Sequence, residues 1–168
     1  SNVVIGRGIE VGHIFNFGTK YSEPLECYVL NNEGKKVTPY MGSYGIGVSR
    51  LTAAIIEAFH DDKGIKWPFN ISPFKINIIS SNDKFIDIAG KLYDTLSKKY
   101  KNISFDDRDL SLGRKIKDSE LIGIPWSLII GKNYDEKNEF EIINRSSGEK
   151  FFVNKQEVEN FQFEQYTP

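Results

Sequence analysis

Gly42-Ser43-Tyr44-Gly45-Ile46-Gly47-Val48-Ser49-Arg50 holds three glycines within six residues and closes on an arginine. Glycine at that density lets a backbone approach a ligand closely or take positive φ. The apolar residues that follow, Val48, Leu51, Ile55 and Phe59, recur at helical spacing and predict a helix over 48–59 with a buried stripe. A helix start offers unpaired N–H groups, and Arg50 in the first turn adds a planar, permanently charged fork suited to a polyphosphate. A tight strand-to-helix turn with a surface arginine has the same pattern, so this stretch alone leaves both readings open.

Upstream, two extended runs, Val3-Val4-Ile5 and Leu25 to Leu30, flank a loop that contains Gly8, Gly12 and Gly18. Asn31-Asn32-Glu33-Gly34 is a turn signal and Val37 to Met41 resumes extended structure, so 25–41 reads as a hairpin. Downstream, His60 to Gly64 ends the helix. Residues 64–74, with Trp67-Pro68 and Ser72-Pro73, form a proline-punctuated connection, which sets domains at 1–70 and 71–168. Beyond it come a strand from Phe74 to Ile79 and an amphipathic helix over 84–99 with Phe85, Ile88, Leu92 and Leu96 on one face. A strand at Ile103-Ser104-Phe105, a helix over 112–122 and a strand from Trp126 to Ile130 follow. Leu121 and Ile122 read as packing, and Gly123 with Pro125 as the helix end. Phe140 to Ile143 and Phe151 to Val153 flank Arg145-Ser146-Ser147-Gly148 as a hairpin. Asn154 with Glu157 opens a last helix carrying Val158 and Phe161. The alternation predicts an α/β domain, a mixed sheet of about five strands flanked by helices.

The 168 residues carry 22 basic and 23 acidic side chains, so affinity for phosphates must come from local charge. Lys98, Lys99, Lys101, Arg108, Arg114, Lys115 and Lys117 face only Asp106, Asp107 and Asp109 over 98–117. That excess fits a phosphate-facing patch, and equally a solvated helix and loop surface. A single cysteine, Cys27, excludes an internal disulfide and a multi-cysteine zinc site. With two histidines, a metal site would draw mainly on carboxylates, and none is expected. No apolar run approaches the roughly 18 residues of a membrane helix, and no signal-peptide pattern is present. The expectation is a soluble, cytoplasmic chain with no membrane partner.

Met41-Gly42-Ser43-Tyr44-Gly45-Ile46-Gly47-Val48-Ser49-Arg50 resembles motif 3 of class II aminoacyl-tRNA synthetases, in the form found in the bacterial prolyl branch. Gly8 to Phe15 through Gly18 to Glu23 resembles the segment after that branch's inserted editing domain. Gly64 to Pro68 with Ser72-Pro73-Phe74 resembles its bridge to the anticodon domain. Asp106-Asp107-Arg108, Gly113 and Asp118 to Pro125 resemble the anticodon-domain signature. The four matches run in order from about Ile5 to Phe161. They imply a fold in which the C-terminal portion of an antiparallel catalytic sheet, a hairpin plus the motif 3 strand and helix, precedes an α/β anticodon-binding domain.

The resemblance implies roles residue by residue. Arg50 would bind ATP and hold it bent for attack on the α-phosphate, with Gly45 and Gly47 leaving room for adenine and ribose. Ser43 would line the proline pocket, and His13, Gly18, Tyr21 and Ser22 would close over the amino acid. Histidine satisfied by backbone partners and a hairpin tyrosine remain alternatives for His13 and Tyr21. Arg108 and Glu120 would read anticodon bases, with Lys115 nearby and Asp107 orienting Arg108. Arg114-Lys115 after Gly113 departs from some relatives of that branch. The implied partners are tRNA(Pro), L-proline and ATP, with Mg²⁺ arriving in the ATP complex and the parent enzyme a homodimer.

Motifs 1 and 2 of such enzymes are not visible in the sequence, nor is an editing insertion, so the chain is expected to be inactive in adenylation by itself. Residues 3–60 are expected to expose surface that the rest of a catalytic sheet covers, with some self-association. An RNA-binding adaptor built on a synthetase-like anticodon domain is the competing reading, against which the retained Arg50, Gly45 and Gly47 argue. A synthetase for threonine, histidine or glycine would share the second domain but lack the Gly12-His13-Ile14-Phe15 to Tyr21-Ser22-Glu23 segment.

Overall fold

The computed structural model describes residues 3–166, and backbone contacts divide the chain after Ile55 into two compact units. In the first, strand β1 (Gly12–Gly18) pairs antiparallel with β4 (Met41–Ile46), and the short β2 (Val29–Leu30) pairs with β3 (Lys36–Val37). Helix α1 (Val48–Ala58) follows β4. The expected hairpin over 25–41 is present as β2 and β3. Two expectations fail. Val3-Val4-Ile5 forms no strand and is almost fully exposed, whereas the supposed glycine loop is β1 itself. Glycine sits in this ribbon because the strands close tightly: a Cβ on Gly12 would lie 3.0 Å from the Gly45 carbonyl oxygen, and one on Gly42 3.1 Å from that of Phe15. The helix forms as predicted, but its apolar stripe is not buried: no α1 residue is buried and Val48 is 75% exposed. Leu51 and Ile55 of the stripe are half-buried.

The second unit opens with a two-stranded ribbon, β5 (His60–Asp61) and β6 (Gly64–Ile65), inside the segment read as a plain connection. Then follow β7 (Ile76–Ser80), a 3₁₀ turn at Asp83–Phe85, α2 (Ile86–Ser97), β8 (Ile103–Asp106), α3 (Leu112–Ile122) and β9 (Trp126–Ile130). The chain continues through α4 (Lys132–Lys137), β10 (Phe140–Asn144), β11 (Lys150–Val153), α5 (Lys155–Asn160) and a 3₁₀ turn at Phe163–Tyr166. The sheet order is β11-β10-β9-β7-β8, with β8, β7 and β9 parallel and β10 antiparallel to both its neighbours. This is the mixed five-stranded α/β sheet expected from the alternation.

Central strands covered on both faces read as near-continuous apolar runs, and β7 and β9 are buried at all five positions. Ile76, Ile78, Trp126, Leu128, Ile130, Phe140 and Ile142 form a core with Phe85, Ala89, Leu92 and Leu96 around α2 and Val158 of α5. The opposite face is partly polar and self-satisfied: Ser104 Oγ donates to Asn77 Oδ1 (2.8 Å), and Ser119 Oγ of α3 lies 3.0 Å from Ser127 Oγ. Gly123 ends α3 in the left-handed conformation at φ 82°, where glycine carries no Cβ penalty. Leu121 and Ile122, expected to pack, are instead more than half exposed, and the burial falls to Ile124. The Asn154–Glu157 capping box forms as read.

Candidate nucleotide ribbon and RNA cleft

In an antiparallel pair, directly opposite residues share a face. The β1–β4 register sets His13 opposite Gly45 and Phe15 opposite Ser43, so His13, Ser43 and Gly45 lie on one face. The His13 ring stacks on Phe15 at 4.0 Å, Phe15 on Phe17 at 5.6 Å, and Phe17 meets Tyr21 edge-on at 5.1 Å. Neither Phe15 nor Phe17 carries a role in the sequence reading, although aromatic residues at 13, 15 and 17 alternate as a strand face does. Arg50 reaches the same end of the ribbon. Its Nη1 donates to the Glu10 carbonyl (3.0 Å), and the Glu10 carboxylate lies 3.4 Å from His13 Nδ1. A Cβ on Gly47 would stand 3.2 Å from Arg50 Cβ, so glycine there keeps space beside the arginine stem. Gly18 takes φ 55° at an irregularity in the register, its N–H bonded to Asn16 Oδ1. Ser22 is fully buried and spends its hydroxyl on the Pro39 carbonyl at 2.7 Å. It holds the 19–27 loop to the end of the hairpin.

Helix α3 organises the second unit's polar side chains on two flanks, because residues two apart on a helix point about 200° apart. On one flank Asp106 grips Arg108 through Nε (2.9 Å) and Nη2 (2.7 Å), and Asp118 takes Nη2 at 2.9 Å. These side-chain hydrogen bonds, from Asp106 foremost, hold the guanidinium further into its charged form, and the Arg108 bonds hold the Asp106 carboxyl below the usual carboxylate range. The carboxylates orienting Arg108 are therefore Asp106 and Asp118, not Asp107, which lies past the end of β8. Lys115 is corrected too: it is 2% exposed, and its ammonium donates to the backbone carbonyls of Ser80 (3.0 Å) and Asp106 (3.3 Å). A lysine so placed ties strand ends together and is out of reach of a base. The basic patch of 98–117 thus loses Lys115 to the interior and Arg108 to its carboxylates.

On the other flank, Glu120 lines a cleft of about 290 Å³ with Asp61, Lys63, Ser127, Asn144, Arg145 and the Ser146–Gly148 turn. Lys63 Nζ bonds the Glu120 carboxylate at 3.0 Å. Arg145, its side chain 6% exposed, is the bolt of the wall: Nη1 and Nη2 grip Asp61 at 2.8 and 2.5 Å, Nη2 also reaches the Gly64 carbonyl, and Nε the Glu120 carbonyl. Those Arg145 bonds hold the Asp61 carboxyl far below the usual carboxylate range. Arg108 and Glu120 are therefore not one constellation. Asp61, Lys63, Asn144 and Arg145 were missed, since they form two pairs, Asp61 and Arg145 standing 84 positions apart, with no spacing that links one pair to the other. Among the described residues no three His, Cys, Asp or Glu side chains stand together to hold a metal, and no helix is long and apolar enough to cross a membrane.

The glycine-rich strand-to-helix ribbon and the mixed five-stranded sheet fall in two separate segments that match two family models. The chain belongs to the anticodon binding domain family, whose model matches residues 71–163, and residues 2–59 match that of the tRNA synthetase class II core domain (G, H, P, S and T). Among curated proteins it is similar to the proline–tRNA ligase of Wolbachia sp. subsp. Brugia malayi, 47% identical over 160 residues, covering 94% of this chain and 37% of that protein. The proline–tRNA ligase of Aquifex aeolicus is 43% identical over 164 residues, 96% of this chain and 29% of that one. The Giardia lamblia prolyl-tRNA synthetase in complex with prolyl-adenylate shares the fold, with a TM-score of 0.78 at 24% identity over 89% of this chain and 33% of its own. The chain spans about a third of the length of these relatives.

Proposed function

We propose that this chain is the motif 3 segment and anticodon-reading domain of a proline–tRNA ligase, cytoplasmic and homodimeric as the parent. The observation that carries the reading is the similarity to proline–tRNA ligases through 94–96% of the chain, across both units. An RNA adaptor would need only the second unit, so likeness through the ribbon favours the ligase. We take residues 1–70 with the catalytic sheet and 71–168 with tRNA, except that the β5–β6 ribbon contributes Asp61 and Lys63 to the cleft on the tRNA side.

In the parent enzyme the proline carboxylate attacks the α-phosphorus of ATP, pyrophosphate leaves, and the prolyl group passes from the adenylate to the 3′ end of tRNA(Pro). Positioning and charge neutralisation supply such chemistry. Arg50 steadies the phosphates, with Gly45 and Gly47 giving the nucleotide room. His13, Ser43 and Tyr21 face the proline, while Gly18 and Ser22 shape the loop that closes on it. Mg²⁺ comes with ATP as part of the substrate. Anticodon bases enter the Glu120 cleft.

The test is binding of the 168-residue chain to tRNA transcripts at about 0.15 M salt. A transcript with the proline anticodon is expected to bind at least about tenfold tighter than one with that anticodon exchanged. Glu120→Gln is expected to erase most of that ratio, and equal affinity for all transcripts in the unaltered chain would remove the reading. The chain by itself is expected to give no proline-dependent ATP–pyrophosphate exchange.

A further inference from the structure

We infer that Lys63, on the ribbon that precedes the anticodon-binding domain, is a specificity-determining residue of the cleft and pairs with Glu120 to select guanine. This rests on the reading of the Glu120 cleft as the base site. The family model of that domain begins at residue 71, yet the turn between β5 and β6 supplies one wall of the cleft through Asp61 and Lys63. The two carry different duties. Asp61 is consumed by Arg145, and Arg145 spends its donors on Asp61, Gly64 and Glu120 backbone or carboxylate oxygens. The Lys63 backbone N–H is held by Asp61 Oδ1 (2.9 Å), while its ammonium donates one hydrogen bond, to Glu120 Oε1, on a side chain that is 65% exposed. An ammonium has three protons, so two of Lys63's face outward beside the carboxylate.

The cleft therefore offers two acceptor oxygens on Glu120 with a cationic donor at their edge. On the Watson–Crick edge of guanine, N1–H and the exocyclic amine are adjacent donors, and O6 beside them is an acceptor. Guanine alone can satisfy both carboxylate oxygens and return an acceptor to the lysine. Adenine and cytosine each present one donor group next to a ring acceptor, and uracil a lone N–H between two acceptors. Without Lys63, the carboxylate would stand uncompensated and O6 unpaired, and an unpaired polar group in a binding site is what separates a right base from a wrong one.

The experiment measures affinity of the full 168-residue chain for a proline tRNA transcript and for transcripts with adenine in place of each anticodon guanine. Lys63→Met keeps the stem and removes the donor, and Lys63→Arg keeps charge and donors. Lys63→Met is expected to cut the guanine-over-adenine ratio about tenfold, and Lys63→Arg to restore most of it. Thermal melting verifies that both variants fold, as the exposed lysine end should allow. Loss of affinity for guanine and adenine transcripts alike would show Lys63 to be a phosphate contact and overturn the inference. Full discrimination in Lys63→Met while Glu120→Gln loses it would overturn the inference and spare the cleft. Full discrimination in both variants, or none in the unaltered chain, would overturn the cleft reading itself.

Discussion

The guanidinium of Arg108 has one N–H on Nε and two on Nη2, and Asp106 and Asp118 take up all three. What remains is Nη1, on a side chain that is about half exposed. Its positive charge was legible in the sequence. Its partner was not, because Asp106 and Asp107 are adjacent and only the strand register decides between them: Asp106 is the last residue of β8, opposite Ile79. Lys115 illustrates the same limit, since a lysine in a basic run gives no sign that it points inward onto strand-end carbonyls. The Arg108 pairing has a pH signature. A carboxyl held below its unfolded value binds its proton later in the folded state than in the unfolded one. It contributes stability that is fully present above the ordinary carboxylate range, near pH 4, and is lost as pH falls through and below it. Asp106→Asn is expected to lower the urea midpoint at pH 7 and to leave a shallower decline between about pH 5 and pH 2. Urea titrations of both proteins at matched pH measure this, and parallel curves would refute it.

At the scale of elements, the second unit was readable where periodicity ran long: α2, α3, β7, β9 and the terminal hairpin all lie within a few residues of their expected places. α4 was missed, being six residues in which Tyr134 alone packs on the core, too few for an apolar stripe to show. β1 was missed because glycines were counted as loop formers when they serve close strand approach. The β5–β6 ribbon was missed for a tertiary reason, since its reason to exist is α3. Gly64 at φ 138° and Gly123 at φ 82° let ribbon and helix end meet backbone to backbone: a Cβ on Gly64 would stand 2.5 Å from Leu121 Cα, and one on Gly123 2.5 Å from the Ile65 carbonyl oxygen. That approach is what brings Asp61 and Lys63 to Arg145 and Glu120. Gly123→Ala adds both left-handed strain and a collision, and is expected to cost about 2 kcal/mol or more. Gly90 in α2 has open space at its Cβ position, so Gly90→Ala is expected to raise stability by up to about 1 kcal/mol. Thermal unfolding of the two single variants checks the sign of each.

The two units differ in what holds them. The second has a core of fully buried Trp126, Phe69, Phe140 and Phe163 with the aliphatic side chains of three strands around them. Every buried hydrophobic residue of the described chain belongs to it, from Phe69 to Phe163. Among the described residues of the first, Ser22 alone is buried, while Ile14, Tyr44 and Ile46 on the far face of its ribbon are 70% exposed or more. An isolated two-stranded ribbon is marginal in water, and stability within one chain is distributed unevenly for that reason. Hydrogen exchange should separate the units. Amides of Ile76–Ser80 and Trp126–Ile130 are expected to exchange only through opening of the whole sheet, at the free energy of global unfolding. Amides of Gly12–Gly18 and Met41–Ile46 are expected to exchange orders of magnitude faster, and denaturant should slow or hasten them little because their opening exposes little new surface. On the proposed ligase reading a longer parent chain would cover Ile14, Tyr44 and Ile46, and the same measurement on it should bring the ribbon amides up toward those of β7. Equal protection of ribbon and sheet in the 168-residue chain would mean that the first unit holds itself together without that cover.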